Sequence, residues 1–209
     1  MNKAADFKKI GAKYGIDQVT ARVIRNRDIV EDEDIRLFLE GDLSDCYDPA
    51  MMKDGDRLTD ILIEKINAGA TIRIVGDYDI DGVMSTYILK KCLERAGADV
   101  SYVIPDRVKD GYGLNVRLID DAYNDGIDTI ITCDNGIAAV AEIAHARELG
   151  MTVLVTDHHE IPDEKPQADA IVDPHQKDCA YPYKELCGAG VAWKTMCLLF
   201  RKMNIAGEL

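Results

Sequence analysis

From residue 71 onward the chain alternates between two kinds of segment, and this alternation constrains the fold more than any other feature. Short β-branched runs occur at "TIRIVGD" (71–77), "DVSYVIPD" (99–106), "DTIITCD" (128–134), "MTVLVTD" (151–157) and "DAIVDP" (169–174). Between the first four lie stretches of helical periodicity: "GVMSTYILKKCLERAG", "LNVRLIDDAYNDG" and "IAAVAEIAHARELG". The short runs are almost continuously apolar, as strands buried on both faces are, and strands joined through helices run parallel. The predicted fold is therefore α/β, a mostly parallel sheet of about five strands flanked by helices on both faces. A last helix, "GVAWKTMCLLFRKMN", closes the chain. Residues 1–70 read as a helical N-terminal extension, with an acid-rich helix start and a glycine stop in "EDEDIRLFLEG" and one apolar face in "DGDRLTDILIEKINAG".

Each predicted strand ends on an acid: Asp77, Asp106, Asp134, Asp157 and Asp173. In a parallel sheet the C-terminal strand ends share one edge, and ligands bind in the crevice there. Three groups distant in sequence thus converge. They are the triplet Asp77, Asp79 and Asp81 in "GDYDIDG", the lone Asp134, and Asp157, His158, His159 and Glu160 in "TDHHE". Carboxylates crowded in one crevice raise one another's pKa or collect cations. Mixed oxygen and imidazole donors suit Mn²⁺, Fe²⁺ or Zn²⁺, and oxygen alone suits Mg²⁺ better. So many donors exceed the needs of one ion. A two-metal site bridged by an aspartate, of the kind that hydrolyses phosphate esters, accounts for them. The competing reading is helix capping, with Asp81 before "GVMSTY" and Asp134 before "NGIAAV". Capping explains single aspartates better than it explains the whole set.

Composition narrows the partners. A net charge of −13 disfavours a simple electrostatic DNA-binding module, although bound divalent ions would reverse the field locally. No run approaches the roughly 20 apolar residues of a membrane span, and the start lacks a signal-peptide segment. The expectation is a cytoplasmic protein with no membrane partner and six reduced cysteines. His175, Cys179 and Cys187 are poorly spaced for zinc and read as loop and core residues. His145 reads as a helix residue and Trp193 as core. Tyr181 and Tyr183 either stack on bases or pack a loop.

The motifs resemble those of the DHH phosphoesterase family. "GDYDIDG" is similar to its first motif, "TCDNGI" to its third and "TDHH" to the motif that gives the family its name. "IPDRVKDGYGLN" and "CAYPYKELCGAGVAWK" resemble segments of one branch, the RecJ-type single-stranded-DNA exonucleases, and the N-terminal helices resemble that branch's lead-in. The resemblance implies a metal-dependent phosphodiesterase, a 5′-to-3′ exonuclease on single-stranded nucleic acid in DNA repair or recombination. It also implies two Mn²⁺ or Mg²⁺ ions, and replication or repair proteins as partners. Carried onto this sequence, it makes Asp79 and Asp81 metal ligands, with Asp77 a ligand or outer partner. Asp134 would bridge the ions, His158 would bind metal, and Asp157 would bind metal or orient. His159 would face the scissile phosphate. Arg107 would contact substrate phosphate from a glycine-rich loop that also holds Lys109 and Tyr112. Gly188 and Gly190 would admit substrate close to the backbone.

Two departures qualify the match. Val75 stands where many family members carry a histidine, and the chain stops before the family's final metal aspartate and its associated substrate-binding domain. The resemblance therefore implies a DHH domain over 71–209 that is truncated, and weakly active or inactive by itself. Cleavage of short oligonucleotides or cyclic dinucleotides, and a non-catalytic scaffold, are the rival readings.

Overall fold

The computed structural model describes residues 5–108, 111 and 113–206. The chain divides into two compact units, Met1–Tyr47 and Asp48–Leu209. The first holds α1 (Phe7–Tyr14), α2 (Gln18–Asn26) and α3 (Asp32–Glu40). Asp6 and Asp17 cap the first two helices through their side chains, and Gly15 ends α1 in a left-handed conformation.

The second unit starts with α4 (Gly55–Asn67) and then alternates as the apolar pattern requires. Its elements are β1 (Thr71–Val75), α5 (Ile80–Arg95), β2 (Asp99–Val103), α6 (Val116–Asn124), β3 (Thr129–Cys133), α7 (Val140–Glu148), β4 (Thr152–Thr156), β5 (Ala170–Val172) and α8 (Gly188–Met203). The sheet order is β2-β1-β3-β4-β5, and every neighbouring pair is parallel. The expected α/β architecture is present: five described strands, all parallel, with helices on both faces. Among the described residues no helix is long and apolar enough to cross a membrane.

Period-two geometry divides the strand side chains between two cores. Ile72, Ile74, Ile131 and Leu154 face the core that also takes Leu58 of α4, Leu93 of α5 and Leu199 of α8. Val75, Ile130, Val153 and Val155 face the opposite core, with Ile119 of α6 and Ile143 of α7. β3 lies in the middle of the sheet and is buried at all five positions, whereas β2 is an edge strand and only partly covered.

The order of connection determines where a ligand can enter. From β1 the chain moves to β2 on one side, and β3 returns to the other side of β1. The loops after β1 and β3 therefore diverge and leave a crevice between them. Asp77 follows β1 and Asp134 follows β3.

Several local expectations are revised. Asp79, not Asp81, caps α5, accepting from the N–H groups of Asp81 and Gly82 at 2.9 Å each. Asp134 is not the N-cap of α7, which begins at Val140 after Ala139. Trp193 is only partly buried, with the Lys194 ammonium over its ring. Tyr181 packs into the core and Tyr183 is exposed. His145 bonds Asp120 across α6 and α7 at 2.8 Å.

Ile131 sits in the central strand with no exposed surface. Ile131→Ala should cost about 2–5 kcal/mol, read as a lower urea midpoint at unchanged slope. A loss below about 1 kcal/mol would contradict the packing described for β3.

Candidate metal centre

The turn after β1 is built so that a carboxylate can be buried at its tip. Asp77 has only 2% of its surface exposed, and its Oδ1 has no hydrogen-bond partner. Gly82 makes this possible, since a Cβ there would lie 2.6 Å from both the Cβ and the carbonyl oxygen of Asp77. Burial raises the Asp77 pKa, and the charge of Asp79 adds to the rise. An unpartnered buried carboxylate oxygen is costly, and a cation would satisfy it.

Asp134 approaches from the end of β3. Its backbone is left-handed at φ 61°, an unusual state for a residue with a side chain. Its N–H bonds the carbonyl of Thr156 on β4 at 3.1 Å, which holds the turn in place. Asn135 secures the same turn from inside, donating from Nδ2 to the carbonyls of Val75 and Cys133 at 3.1 and 2.9 Å. The sequence reading did not single out Asn135. "TCDNGI" contained the signal, because an Asn–Gly pair after a strand marks a tight turn. Burial raises the Asp134 pKa despite the bond to His158. The Cys133 thiol, buried just before it, is pushed up to about 12 and offers no thiolate.

The turn after β4 supplies the imidazoles. Asp157 is buried and fully engaged. Its Oδ2 accepts the Ile137 N–H at 2.9 Å, and its Oδ1 accepts the His158 N–H and pairs with His159 Nδ1, both at 2.7 Å. Both Asp157 oxygens are thus turned to the Ile137 and His158 N–H groups and the His159 ring. The Asp157 carboxylate raises His159 to about 9. His158 Nε2 lies 2.9 Å from Asp134 Oδ1 and 3.6 Å from Asp81 Oδ2, and Asp134 raises its pKa.

Two donor groups result, each with its ligand atoms within 4.8 Å of one another: Asp77, Asp79 and Asp134, and Asp134, His158 and His159. Asp134 belongs to both. Asp81 belongs to neither, and its oxygens accept the N–H groups of Gly188 and Ala189 at the start of α8, at 2.7 and 2.8 Å. This is the favourable end of the helix dipole for a carboxylate, so Asp81 holds α8 against the site. At Gly188 a Cβ would lie 2.5 Å from Asp134 Oδ1, so the missing side chain makes room for Asp134. At Gly190 the nearest neighbour is the flexible end of Leu186 at 3.3 Å, which requires no glycine.

The remaining residues lie around this centre. The Arg107 guanidinium lies 5.2 Å from the ring centroid of Tyr78, within the first motif. Lys109 and Tyr112 lie outside the described residues. A cleft of about 370 Å³ opens beside the imidazoles, lined by His158, His159, Glu160, His175, Glu185 and Cys187. Behind it, Asp173 is fully buried, accepts the His175 N–H at 2.8 Å, and is pushed up to about 7 by burial. His175, Cys179 and Cys187 form no donor group among the described residues.

Fold and site together define an α/β protein with an oxygen-and-imidazole centre at the switch point of a parallel sheet. Residues 71–208 match the model of the DHH family, N-terminal domain, and the chain belongs to that family. It is 42% identical over 187 residues to the single-stranded-DNA-specific exonuclease RecJ of Bacillus subtilis (strain 168), covering 90% of this chain and 24% of that protein. To the RecJ of Escherichia coli (strain K12) it is 41% identical over 145 residues, 69% of this chain and 25% of that one. The chain thus spans about a quarter of the length of these curated relatives. Among solved structures, exonuclease RecJ bound to manganese superposes with a TM-score of 0.68 at 32% identity, over 74% of this chain and 39% of that one. RecJ of Thermus thermophilus in complex with Mn²⁺ gives 0.71 at 27% identity, over 96% and 28%.

Asp157→Asn should return His159 from about 9 toward its ordinary value of about 6.5, followed by NMR titration of the imidazole protons. A histidine raised in the folded state stabilises fully below its unfolded pKa. That contribution fades as pH rises through about 9, so the variant should lose the corresponding decline in stability across this window. Gly188→Ala should cost about 1–3 kcal/mol in chemical unfolding, because Asp134 or α8 must give way.

Proposed function

We propose that this chain is the metal-binding part of a phosphodiesterase that removes nucleotides from the 5′ end of single-stranded DNA. The observation that carries this reading is the pair of three-donor groups sharing Asp134 at the mouth of the sheet's switch point. The donor chemistry fits two hard or borderline divalent ions, Mn²⁺ or Mg²⁺, and the buried Oδ1 of Asp77 needs a cation. In this proposal Asp77, Asp79 and Asp134 hold one ion, and Asp134 and His158 hold the other. Bound divalent ions supply Lewis-acid stabilisation of the phosphoryl oxygens and lower the pKa of water to make a nucleophile.

The protein residues supply the rest. Asp157 fixes the His159 ring through Nδ1 and favours the doubly protonated imidazolium, whose Nε2–H can donate to a phosphoryl oxygen as charge develops on it. Asp81 positions rather than ligates, by clasping the start of α8. The cleft beside the imidazoles is large enough for a nucleotide. Arg107, anchored over Tyr78, is the phosphate contact proposed on the other side. The relatives' names support single-stranded DNA as the substrate. A part in repair or recombination, with protein partners there, belongs to the same proposal. The six free cysteines suit a reducing cytoplasm.

The test is Mn²⁺ binding followed by calorimetry, together with degradation of 5′-labelled single strands. Wild type should take up Mn²⁺, and the full-length phosphodiesterase that carries this chain should degrade single strands in preference to duplex and to dinucleotide. Asp134→Ala should weaken Mn²⁺ binding and reduce cleavage by about a hundredfold or more. Absence of Mn²⁺ uptake, or unchanged cleavage by Asp134→Ala, would overturn the proposal.

A further inference from the structure

Helix α5 does more than present Asp79 and Asp81. Its solvent side carries an apolar stripe at helical spacing that starts between those two aspartates: Ile80 is 78% exposed, Val83 40%, Met84 43% and Tyr87 56%. A surface helix ordinarily keeps such positions polar. On the neighbouring edge strand β2, Tyr102 is 53% exposed. The two elements enclose a groove of about 330 Å³ lined by Val83, Tyr87, Lys90, Lys91, Tyr102 and Ile104. Both lysines lean on the single carboxylate of Glu94, Lys90 in a direct bond and Lys91 at 3.8 Å. Two ammonium groups against one carboxylate leave the groove net positive, on a chain whose overall charge is −13.

We infer that the α5–β2 groove, with Tyr87 and Tyr102 as stacking faces and Lys90 and Lys91 as phosphate contacts, is a track for single-stranded nucleic acid leading to the metal centre. The inference rests on the function proposed above and adds to it where the uncleaved strand lies. Sequence-tolerant binding of single strands needs π-faces for the bases and a cationic lining for the backbone, and this groove combines them. One end of the groove is fixed to the site, because α5 begins at Asp79 and the chain leaving β2 leads to Arg107 over Tyr78. The groove lies at the sheet edge, where it is not covered by a neighbouring strand. The aliphatic part of the stripe, Val83 and Met84, would pack against sugar edges and the base between the two tyrosines.

The experiment measures fluorescence anisotropy of a phosphorothioate oligothymidylate roughly 20 nucleotides long, with Mn²⁺ present, on the whole chain. Tyr87→Ala with Tyr102→Ala should weaken binding about ten- to hundredfold, while Mn²⁺ uptake by calorimetry stays at the wild-type value. Tyr87→Trp should retain or improve binding, which a merely disturbed fold would not do. Lys90→Gln with Lys91→Gln should flatten the salt dependence by about 1.4 in log–log slope, two phosphate contacts at about 0.7 each. Wild-type affinity in the double tyrosine variant would overturn the inference and assign the stripe to a polypeptide partner instead. That result would leave the proposed function standing. If wild type itself takes up Mn²⁺ but binds no single strand, the inference falls as well, and the proposed function is decided by its own cleavage test.

Discussion

Burying two carboxylates side by side is the constraint on which the rest of this structure depends. Asp77 and Asp134 each keep only 2% of their surface in water, and both are driven toward protonation by that burial. Both positions are costly, because moving a carboxylate out of water carries a penalty of several kcal/mol. The surroundings show how they are accommodated. Gly82 and Gly188 remove side chains that would collide with them, Asp134 accepts a left-handed backbone, and Asn135 ties the loop to two strand ends. Stability is given up locally so that anionic oxygens converge, as expected where a cation is to be held.

The fold was legible in the sequence because its dominant signal is periodic and redundant. Five nearly continuous apolar runs separated by helical patterns leave few architectures besides a covered parallel sheet, and each run became a strand. The converging aspartates and histidines were legible for the same reason, since a parallel sheet brings its strand ends to one edge. Division of labour within the set was not. Asp79 and Asp81 are equivalent as letters in "GDYDIDG", yet Asp79 belongs to a donor group and Asp81 clasps α8. That distinction comes from a helix start more than a hundred residues away in sequence, which no local pattern encodes. The room that Gly188 makes for Asp134 was not legible for the same reason. Asp173 passed as one more strand-end acid, because nothing in "AIVDPH" announces that its carboxyl is sealed from water.

The two imidazoles illustrate how one tertiary contact separates adjacent identical residues. His158 lies against Asp134, and His159 is held from behind by Asp157. Their rings are 4.5 Å apart and tilted by 50°; both belong to the donor group with Asp134 and both border the open cleft. The pairing places a ring facing Asp134 and a ring held by Asp157 within one residue step. Asp157 enforces that arrangement by binding the backbone of both histidines as well as one ring.

The clasp between Asp81 and α8 also bears on the order of assembly. It joins positions 107 and 108 residues apart, so it can form only after α8 has been synthesised. Loops of that length close slowly compared with local helix formation. During synthesis the first motif emerges long before its clasp, and a nascent chain therefore presents bare aspartates without the helix that holds Asp81 in place. The clasp on Asp81 forms only when α8 has folded back, after all five described strands of the sheet have been made.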